Sequence, residues 1–168
     1  LRMRLLYTDE PDGLSGWQEA SIAPEAPDDF QYTEPNMAIR QDGVPVIGFR
    51  SQTGYLFASS SDDNGATWST PQKTNFPDST SRFFLRTLPT GQTIMINNPS
   101  ATQYDRRVLA LSTSDDGITF DRSVALRSEL ATQDFGGNHK VDGWQYPNAL
   151  VWNDMLIVAY SINKEDIA

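Results

Sequence analysis

The chain has no cysteine and a single histidine among its 168 residues. Without cysteine there is no disulfide staple, although this leaves the compartment open. Cations are scarce, with 13 Lys and Arg against 22 Asp and Glu and a formal charge of −9. That balance argues against nucleic acid or an anionic membrane surface as a partner. No apolar run is long enough to cross a bilayer, and no signal peptide is recognisable. No stretch carries the 3.6-residue apolar period of an amphipathic helix.

What the sequence does contain is turns and aromatic residues, in a repeating pattern. The stretch Ser61-Asp62-Asp63-Asn64-Gly65-Ala66-Thr67-Trp68 reads S-x-D-x-G-x-T-W. A near copy runs from Thr113 to Phe120, with Asp115 in the place of Asp63. A worn third copy precedes both: Asp12 stands five residues before Trp17, with Gly13 one place early and Gly16 at the Thr position. Trp17 to Trp68 is 51 residues and Trp68 to Phe120 is 52. A period of about 40–50 residues suits a four-stranded propeller blade. The physics of each box is that of a tight turn. Asp accepts backbone N–H bonds, Gly supplies the positive φ, and the aromatic wedges between sheets. Such a box needs no chemistry of its own. Calcium binding is the alternative, but an EF-hand loop would require more acidic positions and a terminal Glu.

Taken in order, residues 1–30 read as the end of one blade, with strands at Leu1–Thr8 and Gln18–Ala23 and a Pro-rich link at Pro24–Asp29. Residues 31–76 read as a whole blade, with strands at 34–40, 44–50, 55–60 and 69–73. Residues 77–128 repeat that order, with strands at 83–88, 93–97, 108–112 and 124–127. Residues 129–168 read as the start of a further blade, with strands at 146–152 and 155–161 and a third due where the sequence stops. The first residues read as a strand entered part-way, so the sequence is expected to be a piece of a longer chain. An open arc of blades leaves unpaired sheet faces, so it should depend on the rest of its propeller.

Polar groups near the starts of first strands, and on second strands nearby, converge on one mouth of a propeller. The candidates are Glu34, Arg50, Arg106 or Arg107, and Tyr146. Guanidinium forks bind a carboxylate bidentately, and a phenol needs a base to become a nucleophile. Glu34 is a candidate for that base. His139, the lone His, and Trp144 lie close to Tyr146 in sequence and are further candidates for contacting a sugar. Each also has a plain reading: Tyr146 as a half-buried strand residue, Glu34 as a strand-edge acid, Arg50 and Arg106 as ion-pair residues, His139 as a solvated loop residue and Trp144 as core.

The boxes and this residue set together resemble the sialidase (neuraminidase) superfamily, over the whole chain, as the later half of a six-bladed propeller. Glu34-Pro35-Asn36-Met37-Ala38-Ile39-Arg40, Asp42-Gly43 and Phe49-Arg50 are similar to the family stretch in which a Glu opens a first strand and an Arg ends the second. Arg106-Arg107-Val108-Leu109-Ala110-Leu111 resembles the strand bearing a further arginine, with Arg106 favoured. Tyr146-Pro147-Asn148-Ala149-Leu150 resembles the segment carrying the nucleophile, with Pro147 where sialidases usually have Ser. The resemblance implies an all-β fold covering about three blades, a Tyr146 nucleophile with Glu34 as partner, Arg50 and Arg106 on a sugar carboxylate, no metal or cofactor, and a secreted or periplasmic location. The sialidase tyrosine is the exception among glycosidases that pair two carboxylates, and it suits a substrate whose own carboxylate would repel an anion. The family's remaining arginine and its Asp acid/base have no match here. The loop Gly136 to Trp144 is extra. A polysaccharide lyase or other glycosidase acting on uronate glycans, and a non-catalytic glycan- or protein-binding propeller, are the alternatives.

Overall fold

The computed structural model describes residues 4–22 and 32–168. Among these there are fourteen strands and no helix. The strands form four sheets in chain order. The first joins β1 (Leu5–Tyr7), β2 (Gln18–Ile22) and β6 (Thr67–Trp68). The second is β3 (Tyr32–Ile39), β4 (Pro45–Ser51), β5 (Tyr55–Ser60) and β7 (Gln72–Pro77). The third is β8 (Phe84–Thr87), β9 (Thr93–Asn97), β10 (Leu109–Ser114) and β11 (Arg122–Arg127). The last is β12 (Trp144–Trp152), β13 (Met155–Ile162) and β14 (Asp166–Ile167). Within a sheet every neighbouring pair is antiparallel except β2 with β6. The chain is thus all-β and forms part of a β-propeller.

Three apolar layers hold the sheets face to face. Ile47, Phe49, Phe57 and Trp68 pack with Leu5, Tyr7, Ala20 and Ile22 between the first two sheets. Leu56, Phe76, Phe83, Leu85, Met95 and Phe120 fill the next layer, where Phe76 and Phe120 meet edge-on at 5.5 Å between ring centroids. Ile96, Leu109, Trp144 and Ala149 form the third. β4 is buried on both faces, which is why Val46-Ile47-Gly48-Phe49 is a continuous small-or-apolar run rather than an alternating one. Burying a large apolar side chain stabilises by about 1.5–3 kcal/mol, so these layers are what make the sheets stack.

Several sequence expectations are corrected here. The fourth strand of the second sheet runs from Gln72 to Pro77, not from Ser69 to Lys73. The Ser59 hydroxyl donates to the Ser69 carbonyl (2.6 Å), which holds the chain in a crossover, and Pro71 has no N–H to give a ladder. The third strand due where the sequence stops is present in the last sheet as β14, where Ser161 pairs with Ile167. β6, inside the first box, pairs in parallel with β2 and so stitches one sheet to the next, a contact that local pattern does not signal. The expected Pro24–Asp29 link and the first three residues lie outside the described residues.

The box register is also corrected. In the first box the Thr67 N–H and hydroxyl both donate to Asp63 (2.7 and 2.6 Å), and the Gly65 N–H donates to the Ser61 hydroxyl (2.8 Å). In the second, the anchoring carboxylate belongs to Asp116, not Asp115. It accepts from the Ile118 and Thr119 N–H groups (2.8 and 2.6 Å), while the Gly117 N–H donates to the Ser114 hydroxyl (2.8 Å). The turn is one residue tighter between Asp and Gly, so counting back from the aromatic selects the wrong acid. Asp115 is exposed. Asp116→Ala should therefore cost about 1–2 kcal/mol in urea unfolding through its lost turn bonds, and Asp115→Ala no more than about 0.5. Equal costs for the two variants would overturn this register.

The worn copy is also a box: the Trp17 indole N–H donates to the Gly13 carbonyl (3.0 Å), as that of Trp68 does to Gly65 (2.9 Å).

Candidate functional site

Two residues share an unusual backbone. Glu34 and Tyr146 each precede a proline, yet hold φ of +47° and +54°. The residue before proline is pushed towards extended conformations, and a non-glycine residue at positive φ is uncommon, so each carries strain. Each also sits at a register shift in the first, edge strand of its sheet, between Thr33 and Pro35 in β3 and between Gln145 and Asn148 in β12. A bulge of this kind re-aims a side chain away from the sheet faces. Both side chains line one open cleft of about 390 Å³, together with Arg50, Tyr104, Arg106, His139, Val141 and Lys164.

Arg50 leaves β4 and pairs with the Glu34 carboxylate through its terminal nitrogen. Arg106 precedes β10 and is buried. Its guanidinium donates to the Gln145 amide oxygen and lies 5.6 Å from the Tyr146 ring centre. Lys164, in the β13–β14 turn, places its ammonium 5.2 Å from the same ring and donates to the His139 carbonyl (2.8 Å). Burial raises the Tyr146 pKa, but hydrogen bonding and charge from Lys164 and Arg106 outweigh it and leave the phenol below its usual value. A protein of net charge −9 thus carries a cleft with three cationic side chains and one carboxylate. Such a site attracts a small anion and suits bidentate capture of a carboxylate.

The junction beneath the cleft is Gly143, at φ +113°. The Trp144 N–H donates to the Arg106 carbonyl (2.9 Å), and Gly143 exchanges two 2.8 Å bonds with Asn163. One residue therefore ties together the segments bearing Arg106, Tyr146 and Lys164. The extra loop before it is pinned by Glu165, which accepts from the Asp134 and Phe135 N–H groups (2.9 and 2.8 Å) and from Lys140 (2.5 Å). These donors, Lys140 first, hold the Glu165 carboxyl down at about 2.

The structure brings Glu34, Arg50, Arg106, His139 and Tyr146 together and leaves two other candidates outside. Arg107 is exposed and bonded to the Asp105 carboxylate (2.8 and 2.9 Å). Trp144 is 4 % exposed, with the Arg127 guanidinium 4.5 Å from its ring centre and Tyr160 edge-on at 5.9 Å, so its ring belongs to the core. Sequence reasoning missed Lys164, Gln145 and Asp78. Asp78 lies in Pro77-Asp78-Ser79-Thr80, which reads as an ordinary turn, but it is fully buried. Asn97 donates to its carboxylate (3.2 Å), as does the Ser81 N–H (3.2 Å).

Burial raises the Asp78 pKa to about 6, against the pull of Asn97, Ser81 and the nearby Arg50. From about pH 4 to 6 the folded protein keeps a proton that the unfolded chain has lost. Its contribution is therefore complete below the unfolded value of 3.8 and is lost as pH rises through about 6. Asp78→Asn should remove this slope, changing the stability difference between pH 4 and 7 by on the order of 2 kcal/mol in urea unfolding. An unchanged difference would count against a buried, titrating Asp78.

The sequence pattern of the BNR repeat-like domain family matches residues 3–158. No curated protein matches the chain in sequence. Among solved structures, a sialidase is 28 % identical, with a TM-score of 0.66 over 82 % of this chain and 13 % of its own. The intramolecular trans-sialidase of Ruminococcus gnavus, solved with oseltamivir carboxylate, is 15 % identical, with a TM-score of 0.64 over 92 % of this chain and 32 % of its own. An α-L-arabinanase of Penicillium chrysogenum, solved with arabinobiose, is 18 % identical, with a TM-score of 0.57 over 83 % and 44 %. The chain spans less than half the length of each of these proteins. It belongs to the BNR repeat-like domain family, as part of a sialidase-like β-propeller.

Proposed function

We propose that the cleft takes the carboxylate of a terminal acidic sugar and that the protein is a sialidase-like glycoside hydrolase. Tyr146 is the nucleophile, Glu34 the base that takes its proton, and Arg50 and Arg106 grip the substrate carboxylate. The observation that carries this reading is the pair of strained positions before proline, Glu34 and Tyr146, turned into one cationic cleft. Strain of about 1–3 kcal/mol per residue persists where the surrounding structure enforces it, and it concentrates at working sites. A phenol held beside cations is a nucleophile that an anionic substrate tolerates better than a second carboxylate. Arg107 and Trp144 have no part in this site. The blade divisions at residues 30, 76 and 128, completion of a six-bladed ring by further chain, and a secreted or periplasmic location belong to the same proposal. No helix among the described residues is long and apolar enough to cross a membrane.

A uronate-directed lyase or glycosidase is the second reading, because His139 lines the same cleft with an exposed side chain. An arabinan-type neutral sugar fits less well, since it offers the three cations no charge to meet. The test incubates the intact protein with a fluorogenic sialoside, with uronate oligosaccharides and with arabino-oligosaccharides. Release from the sialoside alone supports the first reading. An unsaturated, ultraviolet-absorbing product from the uronates, lost in His139→Ala, would replace it with the second. Binding without any product would leave a non-catalytic glycan receptor.

A further inference from the structure

Tyr146 has a neighbour that the motif around it does not provide. Lys164 is fixed from three directions. Asn163 and Lys164 hold φ of +54° and +58° in the three-residue β13–β14 connection, closed by the Glu165 N–H donating to the Ile162 carbonyl (2.8 Å). Asn163 exchanges two bonds with Gly143, three residues before Tyr146. The Lys164 ammonium donates to the His139 carbonyl, which uses one of its three N–H donors and leaves the others for the cleft. The Tyr146 ring therefore has two cations near it, Lys164 at 5.2 Å and Arg106 at 5.6 Å, measured to the ring centre. Of these two, Arg106 also donates to Gln145, so its guanidinium is shared between that amide and the phenol. Glu34, the base assigned above, is engaged by Arg50.

We propose that Lys164 is the counter-ion of Tyr146, holding its phenolic oxygen as the anion once the proton has left. Lys164 keeps its own proton throughout. The Tyr146 proton passes to Glu34 or to the solvent that enters the open cleft, and the resulting phenolate–ammonium pair is neutral. The consequence for glycosyl transfer rests on Tyr146 being the nucleophile, but the ion pair itself does not. The direction of the Tyr146 pKa agrees with the geometry. A phenol of ordinary pKa, about 10, is ionised to roughly one part in a thousand at neutral pH, and each unit of lowering raises that fraction tenfold.

The experiment is a pH titration of tyrosinate absorbance in the intact protein. The charged and titratable groups facing Tyr146 are Lys164, Arg106, Glu34, Arg50, His139 and Tyr104. Subtracting the Tyr146→Phe trace isolates Tyr146 from the other five tyrosines of the six in the chain. In Lys164→Met and Lys164→Gln the isolated step should rise by about one unit or more, whereas Lys164→Arg keeps the charge and should stay near the parent. Two uncharged variants are included so that one that folds poorly does not decide the matter. Sialoside hydrolysis is followed in parallel, where the limb of the kcat/KM profile that reports Tyr146 should move with the absorbance step. If the step shifts while no variant hydrolyses sialosides, the counter-ion stands and the sialidase reading falls. If the step stays in place in both uncharged variants, the counter-ion assignment is overturned, whatever the hydrolysis shows.

Discussion

Tyr146→Phe is expected to abolish sialoside turnover while leaving the fold intact. The change removes a single oxygen. The ring keeps its place beside Arg106 and Lys164, and Pro147 and the β12 bulge keep the backbone as it is. The residue is only half-buried, so stability should change by no more than about 0.5–1 kcal/mol. What disappears is the atom that would bond to the anomeric carbon. Removing the nucleophile of a covalent mechanism typically costs on the order of a thousand-fold or more in kcat. Because Arg50 and Arg106 remain, the loss should fall on kcat and leave KM nearly unmoved. Steady-state kinetics with a fluorogenic sialoside, alongside circular dichroism of both proteins, makes the comparison. A variant retaining a tenth or more of the parent turnover would falsify the nucleophile assignment.

Gly143→Ala should produce the largest loss of stability of any single methyl added to this chain. A Cβ there would stand 2.0 Å from the Arg106 carbonyl oxygen and 2.5 Å from its carbon, both backbone atoms with nowhere to go. The φ of +113° is one that side chains rarely adopt. Relief requires the Arg106 segment to part from β12, which breaks the bond from Trp144 to Arg106 and disturbs both bonds to Asn163. Each of these faults costs on the order of 1–3 kcal/mol, so a total above about 3 kcal/mol is expected in urea unfolding. Gly136→Ala is the control. Nothing lies within 4 Å of its added carbon, and it should be close to neutral. Two alanine variants of equal stability would show that the Gly143 contact is not tight in solution. The Gly143 variant that does fold should also lose substrate affinity, because Arg106 and Lys164 no longer face the cleft together.

How far the sequence alone reaches depends on the range of the interaction. Glu34, Arg50 and Tyr146 could be picked out as polar residues at the starts of first strands or on a second strand, because the turns that delimit those strands announce themselves through Gly, Asp and Pro. Strand positions followed for the same reason. Lys164 could not, because its relevance to Tyr146 arises from the pairing of β12 with β13 and from a left-handed turn whose Asn-Lys sequence looks ordinary. Asp78 escaped because burial is a property of what stacks on top, here Asn97 from a neighbouring strand. Trp144 shows the reverse case. Its nearness to Tyr146 in sequence suggests a sugar platform, and alternation alone would put the two on one face, yet the bulge turns Tyr146 out of that alternation while Trp144 stays packed on Tyr160 and Arg127. The box register slipped for a local reason, since one residue fewer between Asp116 and Gly117 moves the anchor without disturbing the motif to the eye.

The two strained positions before proline have a consequence for how such a protein can change its chemistry. Glu34 and Tyr146 occupy equivalent places in their sheets, with the same backbone twist and the same following Pro-Asn. One scaffold device therefore displays an acid in one repeat and a phenol in another. The device depends on the bulge and the proline rather than on the side chain it carries. New reactivity can thus be installed by exchanging one residue at such a socket, without redesigning the blade that holds it. Two repeats thus present interchangeable mounts to one cleft, and what that cleft can do is set by the side chain each mount holds.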